Sequence, residues 1–393
     1  MTAIEFALGV VAFVVILLAS IALHELGHFV FARRFQVPVR QFMVGFGPTL
    51  WSRRVRGTEF GVKLLPLGGY ISMKGMYPDA DDPEEYPSIP EEPAFWKLRA
   101  LKKITIMAAG PAVNLVLAVG LMLGAFWGMG ATAITAGKIA ECTPSTSSQE
   151  CSAANAPSPA SAAVHKGDVI VAIDGHKIAQ WDQAVEIIRS HPDQVTTFTL
   201  LRDGRQFEQE ITLASIDSDG IEVGYLGVTP GVTLIPQSLA DASGQALATI
   251  GTTVTTLVKL PVSAVTTVTG LFTGTAVPDR PVSLVGVGQV AGTISSSEQL
   301  SGDLKLQALL LLGAQLNLAL FLINMVPLPP FDGGHIAVSV YQSVRDRIAS
   351  SRGKAVSPPV SVARLIPVTL ATFATLAAIS LVFIVADIFA PVL

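Results

Sequence analysis

Charge is what this sequence has least of. Asp, Glu, Lys and Arg make up 14% of its 393 residues, against about 25% in an ordinary soluble domain. Half of the chain is apolar or aromatic, and the mean hydropathy is +0.54. That balance excludes a typical soluble protein and points to one integral to a membrane. No field of one sign is present: the formal net charge is −4, which leaves no basic surface for nucleic acid. Neither standard glycine-rich phosphate loop occurs. Cysteine is nearly absent. Cys142 and Cys151 bracket TPSTSSQE, a spacing with no nearby histidine that makes a poor zinc site.

What is abundant is long apolar runs. Four stretches, Ile4–Leu23, Ile104–Trp127, Leu306–Val326 and Leu365–Ala390, reach the roughly 20 helical residues that cross a bilayer. The first has no basic leader and no small-residue cleavage site before its histidines, so it reads as a retained span and not a signal peptide. Cations set the orientation. They crowd the segment between spans one and two, from Arg33 and Arg34 to Lys102 and Lys103. They recur between spans three and four as Arg345, Arg347, Arg352, Lys354 and Arg364. The longer segment between spans two and three is sparse in them. Both basic segments are therefore expected in the cytoplasm, with both termini and the middle segment outside. On that side Cys142 and Cys151 are expected to close a disulfide loop.

Between the spans the chain changes character. Residues 36–76 carry glycines, Pro66 and β-prone residues, which predict short strands and hairpins. Residues 78–93, PDADDPEEYPSIPEEP, read as a solvated loop. Residues 158–232 alternate short strand patterns with one helix, and Asp203-Gly204 between two alternating runs is a hairpin signal. SPASAAVHKGDVIVAIDGHKI, followed by RDG, resembles a bacterial PDZ domain, which implies peptide binding by strand addition; a ligand-free spacer is the plainer reading. Residues 238–275 are apolar enough for a fifth span. Lys259 and Pro261 in their middle, and the inversion a fifth span would impose on the basic segments, favour one or two helices on the outer surface instead.

The chemistry gathers in HELGH, residues 24–28. Residues four apart share a helix face, so His24 and His28 can grip one ion. Glu25, beside them, can accept a proton from an activated water. Ionisable groups in an apolar helix carry a cost that function has to offset. A catalytic zinc takes a third protein ligand, yet no Asp, Glu, His or Cys lies between His28 and Glu59. His165, His176 and His191 belong to the outer segment. The remaining candidate is Asp332 in NMVPLPPFDGGH, where Pro327, Pro329 and Pro330 break the helix and Gly333 and Gly334 permit close approach. By the expected topology this motif and the histidines reach the same depth. His335 is expected beside the metal or at the interface, not on it.

With these residues in view, the chain resembles the site-2 proteases, intramembrane zinc metalloproteases, in their bacterial PDZ-containing branch. HELGH and N-M-V-P-L-P-P-F-D-G-G carry the resemblance, and GFGP at 45–48, PLGGY at 66–70 and AGPAVN at 109–114 follow in the same order. It implies zinc held by His24, His28 and Asp332, with Glu25 as general base. Asn324 matches a position that holds substrate, with a helix-packing amide as the alternative; Asn114 and Asn317 read as bonds between helices. Residues 61–75 resemble a membrane-reentrant β-hairpin on the cytoplasmic side, with Gly68 and Gly69 offering an edge to an unwound substrate; an ordinary cytoplasmic hairpin is the alternative. The implied substrates are single-span membrane proteins, such as anti-sigma factors already cut outside by a site-1 protease, or signal-peptide remnants. The expected protein is thus a polytopic α-helical one of the bacterial inner membrane, surrounded by lipid. Residues 1–128 hold the HExxH span, the hairpin loop and the second span. Residues 129–232 form the PDZ domain, 233–304 an outer surface-helix linker, and 305–393 the last two spans. A scaffold or transporter whose PDZ domain recruits partners is the rival reading, and it needs neither metal nor Glu25; a zinc or proton transporter using the same residues is a second, against which the spans show no inverted repeat.

Overall fold

The computed structural model describes residues 3–76, 94–146, 155–274, 280–355, 360 and 362–389. The chain divides into two compact units, residues Met1–Ala125 with Ser243–Leu393, and residues Phe126–Ala242. The acid-rich 78–93 loop and Cys151 lie outside the described residues, and with Cys151 the expected Cys142–Cys151 pairing.

The first unit opens with helix α1, Ala3–Arg34. It runs through the histidines without a break because no proline interrupts it. Strands β1, Val39–Val55, and β2, Thr58–Met73, follow as one long hairpin bent back on itself. Residues 41–44 pair with 69–72 on one side and with 59–62 on the other, while 51–55 close onto 58–62. The hairpin is locked to α1 by the Phe29, Phe42 and Phe60 rings, whose centroids lie 5.3–5.9 Å apart. Buried Leu17, Ile21, Val37, Val44 and Ile71 extend this core. Helix α2, Ala100–Leu123, comes next and widens over its last turn, Gly124–Met129.

The second unit holds β3, Ala131–Ile139, β4, Val169–Ile173, β5, His176–Lys177, helix α3, Trp181–Arg189, and then β6, Val195–Arg202, β7, Arg205–Thr212, β8, Ala214–Ser218, β9, Ile221–Tyr225, and β10, Val228–Ile235. One sheet has the order β10-β3-β4-β6-β7 with β5 on β4; β8 and β9 form a separate hairpin. The Asp203-Gly204 turn joins β6 to β7 with φ of 51° and 77°, the doubly left-handed geometry that a two-residue hairpin favours. The core is Ile170, Ile173, Phe198, Leu200, Ile211 and their neighbours. Asp168 of the KGD stretch is buried and takes two 2.7 Å bonds from Arg202 and one of 2.8 Å from the His165 amide.

The chain then returns to the first unit with α4, Leu239–Val258, and α5, Leu260–Thr273. They meet at 65°, with Lys259 at the bend and Pro261 in the first turn of α5, where its missing N–H costs nothing. Helix α6, Leu284–Ser296, has no counterpart in the sequence reading. Its buried Gly288, Ala291 and Gly292 let it approach α1 closely, while Gly286 faces Asp387. Helix α7, Gly302–Asn324, α8, Asp332–Ser351, and α9, Val362–Phe389, complete the unit.

Among the described residues, four helices are long and apolar enough to cross a membrane: Ala3–Arg34, Ala100–Met129, Gly302–Asn324 and Leu365–Phe389. They coincide with the four expected spans. The first extends past its expected end at Leu23, which is how it carries both histidines. The bent pair α4–α5 reaches the same threshold only if taken as one span. The chain is therefore a polytopic α-helical protein by the measure of its apolar helices.

Candidate metal centre

Three parts of the first unit converge on one point. His24 and His28 stand one turn apart on the same face of α1, and both are buried. Asp332 opens α8 rather than ending α7. The prolines after Asn324 stop one helix, and the next begins on the carboxylate, where an acid suits the helix dipole. Gly333 and Gly334 leave no room for a Cβ against the backbone of Met325 to Pro329. That crowding folds the start of α8 tightly onto the connecting loop.

The donor atoms form a near-equilateral triangle. His24 Nε2 lies 3.1 Å from His28 Nε2, and each lies 3.2 Å from Asp332 Oδ2. With both rings neutral, hydrogen bonds do not account for these contacts. His24 Nδ1 donates to Asn114 Oδ1 at 2.7 Å and His28 Nδ1 donates to the Ile106 carbonyl at 2.8 Å. With the ring protons on Nδ1, both Nε2 atoms present lone pairs to the carboxylate. Asp332 Oδ2 accordingly has no hydrogen-bond donor although it is buried. Three lone-pair donors pressed together repel one another unless a cation lies among them. Zinc bonds of about 2.0–2.1 Å in a tetrahedron separate the ligand atoms by about 3.3 Å. His24, His28 and Asp332 thus fit one zinc, and they are the only such group of three among the described residues.

Second contacts hold the ligands in place. Asn114 Nδ2 donates to Asn317 Oδ1 at 3.1 Å, and Asn317 Nδ2 donates to Ser20 Oγ at 2.9 Å and to the Gly313 carbonyl at 2.8 Å. This buried chain ties α1, α2 and α7 together behind His24. Asn114 is more than the helix-packing amide read from the sequence, since it fixes the tautomer and orientation of a ligand. A polar residue within an apolar run was the available signal; which histidine it meets was not legible. Helix α2 comes this close because its AGP stretch is small. A Cβ on Gly27 would lie 2.6 Å from the Ala109 carbonyl, and one on Gly110 would collide with the His28 ring.

Glu25 is buried next to the histidines, and the hairpin backs it: a Cβ on Gly69 would lie 2.9 Å from Glu25 Cγ and from Ile21. Gly68 lies against the Phe46 ring. Asn324 is half-buried at the last turn of α7. His335, one turn beyond Asp332 on α8, is half-buried and also outside the triangle. Cys142 is buried in the second unit, bridged by backbone to Pro157.

A buried pair of histidines one turn apart and a carboxylate from a distant helix, set among membrane-length helices, could hold one metal ion. The comparisons with known proteins agree. The chain matches Peptidase family M50 over residues 12–368, and it belongs to that family. It is 31% identical over 432 residues to zinc metalloprotease Rip1 of Mycobacterium tuberculosis, the match covering 98% of each chain. It is 32% identical over 416 residues to zinc metalloprotease Rip1 of Mycolicibacterium smegmatis, again covering 98% of each. Zinc metalloprotease RasP of Bacillus licheniformis is 23% identical over 413 residues, covering 86% of this chain and 91% of its own. The activity that follows is zinc-dependent proteolysis within the membrane.

Proposed function

We propose that His24, His28 and Asp332 are the zinc ligands and Glu25 the general base of a protease that cuts the transmembrane segments of single-span membrane proteins. The observation that carries this reading is the triangle of donor atoms 3.1–3.2 Å apart, with Glu25 buried beside it. When bound, zinc supplies a Lewis acid that polarises the scissile carbonyl and activates a water. Glu25 takes the proton from the attacking water and passes it to the leaving nitrogen. Asn114 and the Ile106 carbonyl keep both imidazoles in the ligating tautomer while this happens.

A substrate helix hides its carbonyls in its own hydrogen bonds, and in lipid the freed groups need new partners. The bent hairpin supplies them in this reading. Its 65–73 segment packs at Gly69 onto Glu25, so an unwound substrate pairing with that segment is delivered beside the base. Phe46, Leu50, Trp51, Leu64 and Leu65 of the hairpin are exposed, as suits a membrane-reentrant element. Gly68 and Gly69 let the substrate backbone approach, and the amide of Asn324 holds it.

The second unit is read as a PDZ domain from its KGD and I-D-G stretches together with a sheet flanked by one helix. In this reading, which the cation asymmetry of the loops supports, the domain and both termini lie outside the cytoplasm and the zinc near the cytoplasmic face of the bacterial inner membrane. The domain then acts as a filter that admits substrates already trimmed by a site-1 protease, anti-sigma-factor-like proteins or signal-peptide remnants among them. The test is Glu25→Gln in the full chain. The variant keeps one zinc per chain by metal analysis and loses cleavage of a model transmembrane substrate by a factor of about 10² or more. Full cleavage by the variant overturns the role of Glu25; loss of zinc with it overturns the division between ligands and base.

A further inference from the structure

Away from the zinc triangle, the residues leading into α2, its first turn and α8 border an open cavity of about 740 Å³. Its lining is cationic: Lys97, Arg99 and Lys103 come from the α2 side, Arg345 and Arg347 from α8, with Asp346 as the single acid. Asp346 is engaged by Arg345 at 3.0 Å. Lys103 is only 9% exposed, yet no hydrogen bond or close ion pair fixes its amine among the described residues. A buried ammonium is stable only with a counter-charge, and among the described residues that line the cavity five cations face one acid. Ala100, whose amide opens α2, also lines it. Arg99, the residue before it, has extended backbone and no side-chain cap, so the first amides of the helix add to the demand for an anion.

The position of the cavity says where the anion comes from. Ala100 begins a membrane-length helix, so the cavity sits at the end of a span, at headgroup depth. Helix α8 exposes Tyr341, Val344 and Ile348 at 60%, 51% and 46%, spaced as one apolar stripe. A helix with an exposed apolar stripe beside a cationic face lies in a membrane interface. Leu101, next to the cavity, is 75% exposed, which suits an acyl chain leaving the site.

We propose that this cavity binds the phosphate of an anionic phospholipid headgroup, which bridges the cations of α2 to those of α8. Those two helices also serve the zinc site. Ile106, one turn after Lys103 on α2, orients His28, and Asp332 begins α8, on which Ser339 and Gln342 line the cavity two and three turns further on. A bound headgroup thereby ties the helix that carries one metal ligand to the helix that orients another.

Native mass spectrometry of the full-length zinc-loaded protein, with phosphatidylglycerol or phosphatidylcholine added, tests this. The expected result is one phosphatidylglycerol retained under activation that strips phosphatidylcholine, and at least a tenfold weaker adduct in Lys103→Gln. Lys354→Gln, an exposed cation outside the cavity, keeps the adduct. Should Lys103→Gln fail to fold, Arg99→Gln/Arg347→Gln, both exposed, carries the same expectation. Equal retention of the two lipids, or an unchanged adduct in the cavity variants, overturns the proposal. In a parallel arm inorganic phosphate replaces lipid. Phosphate held by the wild type and lost in the variants, without preference for phosphatidylglycerol, assigns the cavity to a soluble anion and overturns the lipid assignment.

Discussion

Asn114 Oδ1 accepts a 2.7 Å hydrogen bond from His24 Nδ1, although the two residues lie on different helices. That bond leaves Nε2 as the nitrogen free to ligate the proposed zinc and sets the plane of the ring. Asn114→Ala is therefore expected to weaken zinc binding by about 10–100-fold without removing a ligand. Chelator competition measures it, and Asn114→Gln, which can keep the acceptor, recovers part of the loss. Unchanged affinity in the alanine variant would reduce Asn114 to a packing residue.

Gly110 is the place where α2 meets the His28 ring. A methyl there collides with the imidazole itself, and the contact is a ring held on both sides, with no flexible end to give way. Gly110→Ala is expected to lower zinc content and proteolysis together, while Gly120→Ala on the same helix, where a Cβ meets nothing within 4 Å, leaves both intact.

Gly69 backs Glu25. Gly69→Val pushes on Glu25 Cγ and Ile21, which displaces the proposed base but none of the proposed ligands. The expected outcome is full zinc content with a reduced kcat on a transmembrane substrate.

Asp387 near the end of α9 is buried with Arg280. Its Oδ1 lies 2.5 Å from the guanidinium, and Oδ2 accepts from the Ser283 amide at 2.7 Å. Removing one partner strands the other charge, at a cost of about 3–5 kcal/mol for a buried pair. Asp387→Ala is expected to lower the thermal midpoint of the purified protein markedly. Arg280→Met combined with Asp387→Leu recovers much of it.

The Asp168 carboxyl in the second unit provides a pH-dependent test. Burial alone raises its pKa, but the Arg202 hydrogen bonds, the His165 amide and the guanidinium charge outweigh burial and hold the group below the usual carboxylate range. A depressed folded-state pKa means that the stabilisation is fully present above the unfolded value of about 3.9 and is lost as pH falls through the folded value. Hydrogen exchange of the full chain should show β4 and β6 loosening in acid. Arg202→Gln should loosen them already at neutral pH and flatten the acid response.

The elements that were legible in the sequence share one property: each is written in neighbouring residues. Four apolar runs of span length became the four membrane-length helices. HELGH placed two imidazoles on one helical face because a turn is 3.6 residues, and Asp203-Gly204 specified its hairpin through two left-handed residues. Helix α8 was hidden because its stretch is mixed in polarity and begins directly after three prolines. Helix α6 was hidden because its glycines, weak helix formers on their own, become favourable only when α1 packs against them.

Local periodicity thus determined the spans, the paired histidines and the carboxylate motif, since each depends on backbone geometry over a few residues. The tertiary structure alone decided that Asn114 is the partner of His24, that Gly110 makes room for His28, that Gly69 backs Glu25, and that cations of α2 and α8 face one cavity. Such relationships depend on which helix faces combine when apolar surface and buried polar groups must be satisfied together. Asn114 and Asn317, 203 residues apart, leave no trace of that pairing in the spacing of their neighbours.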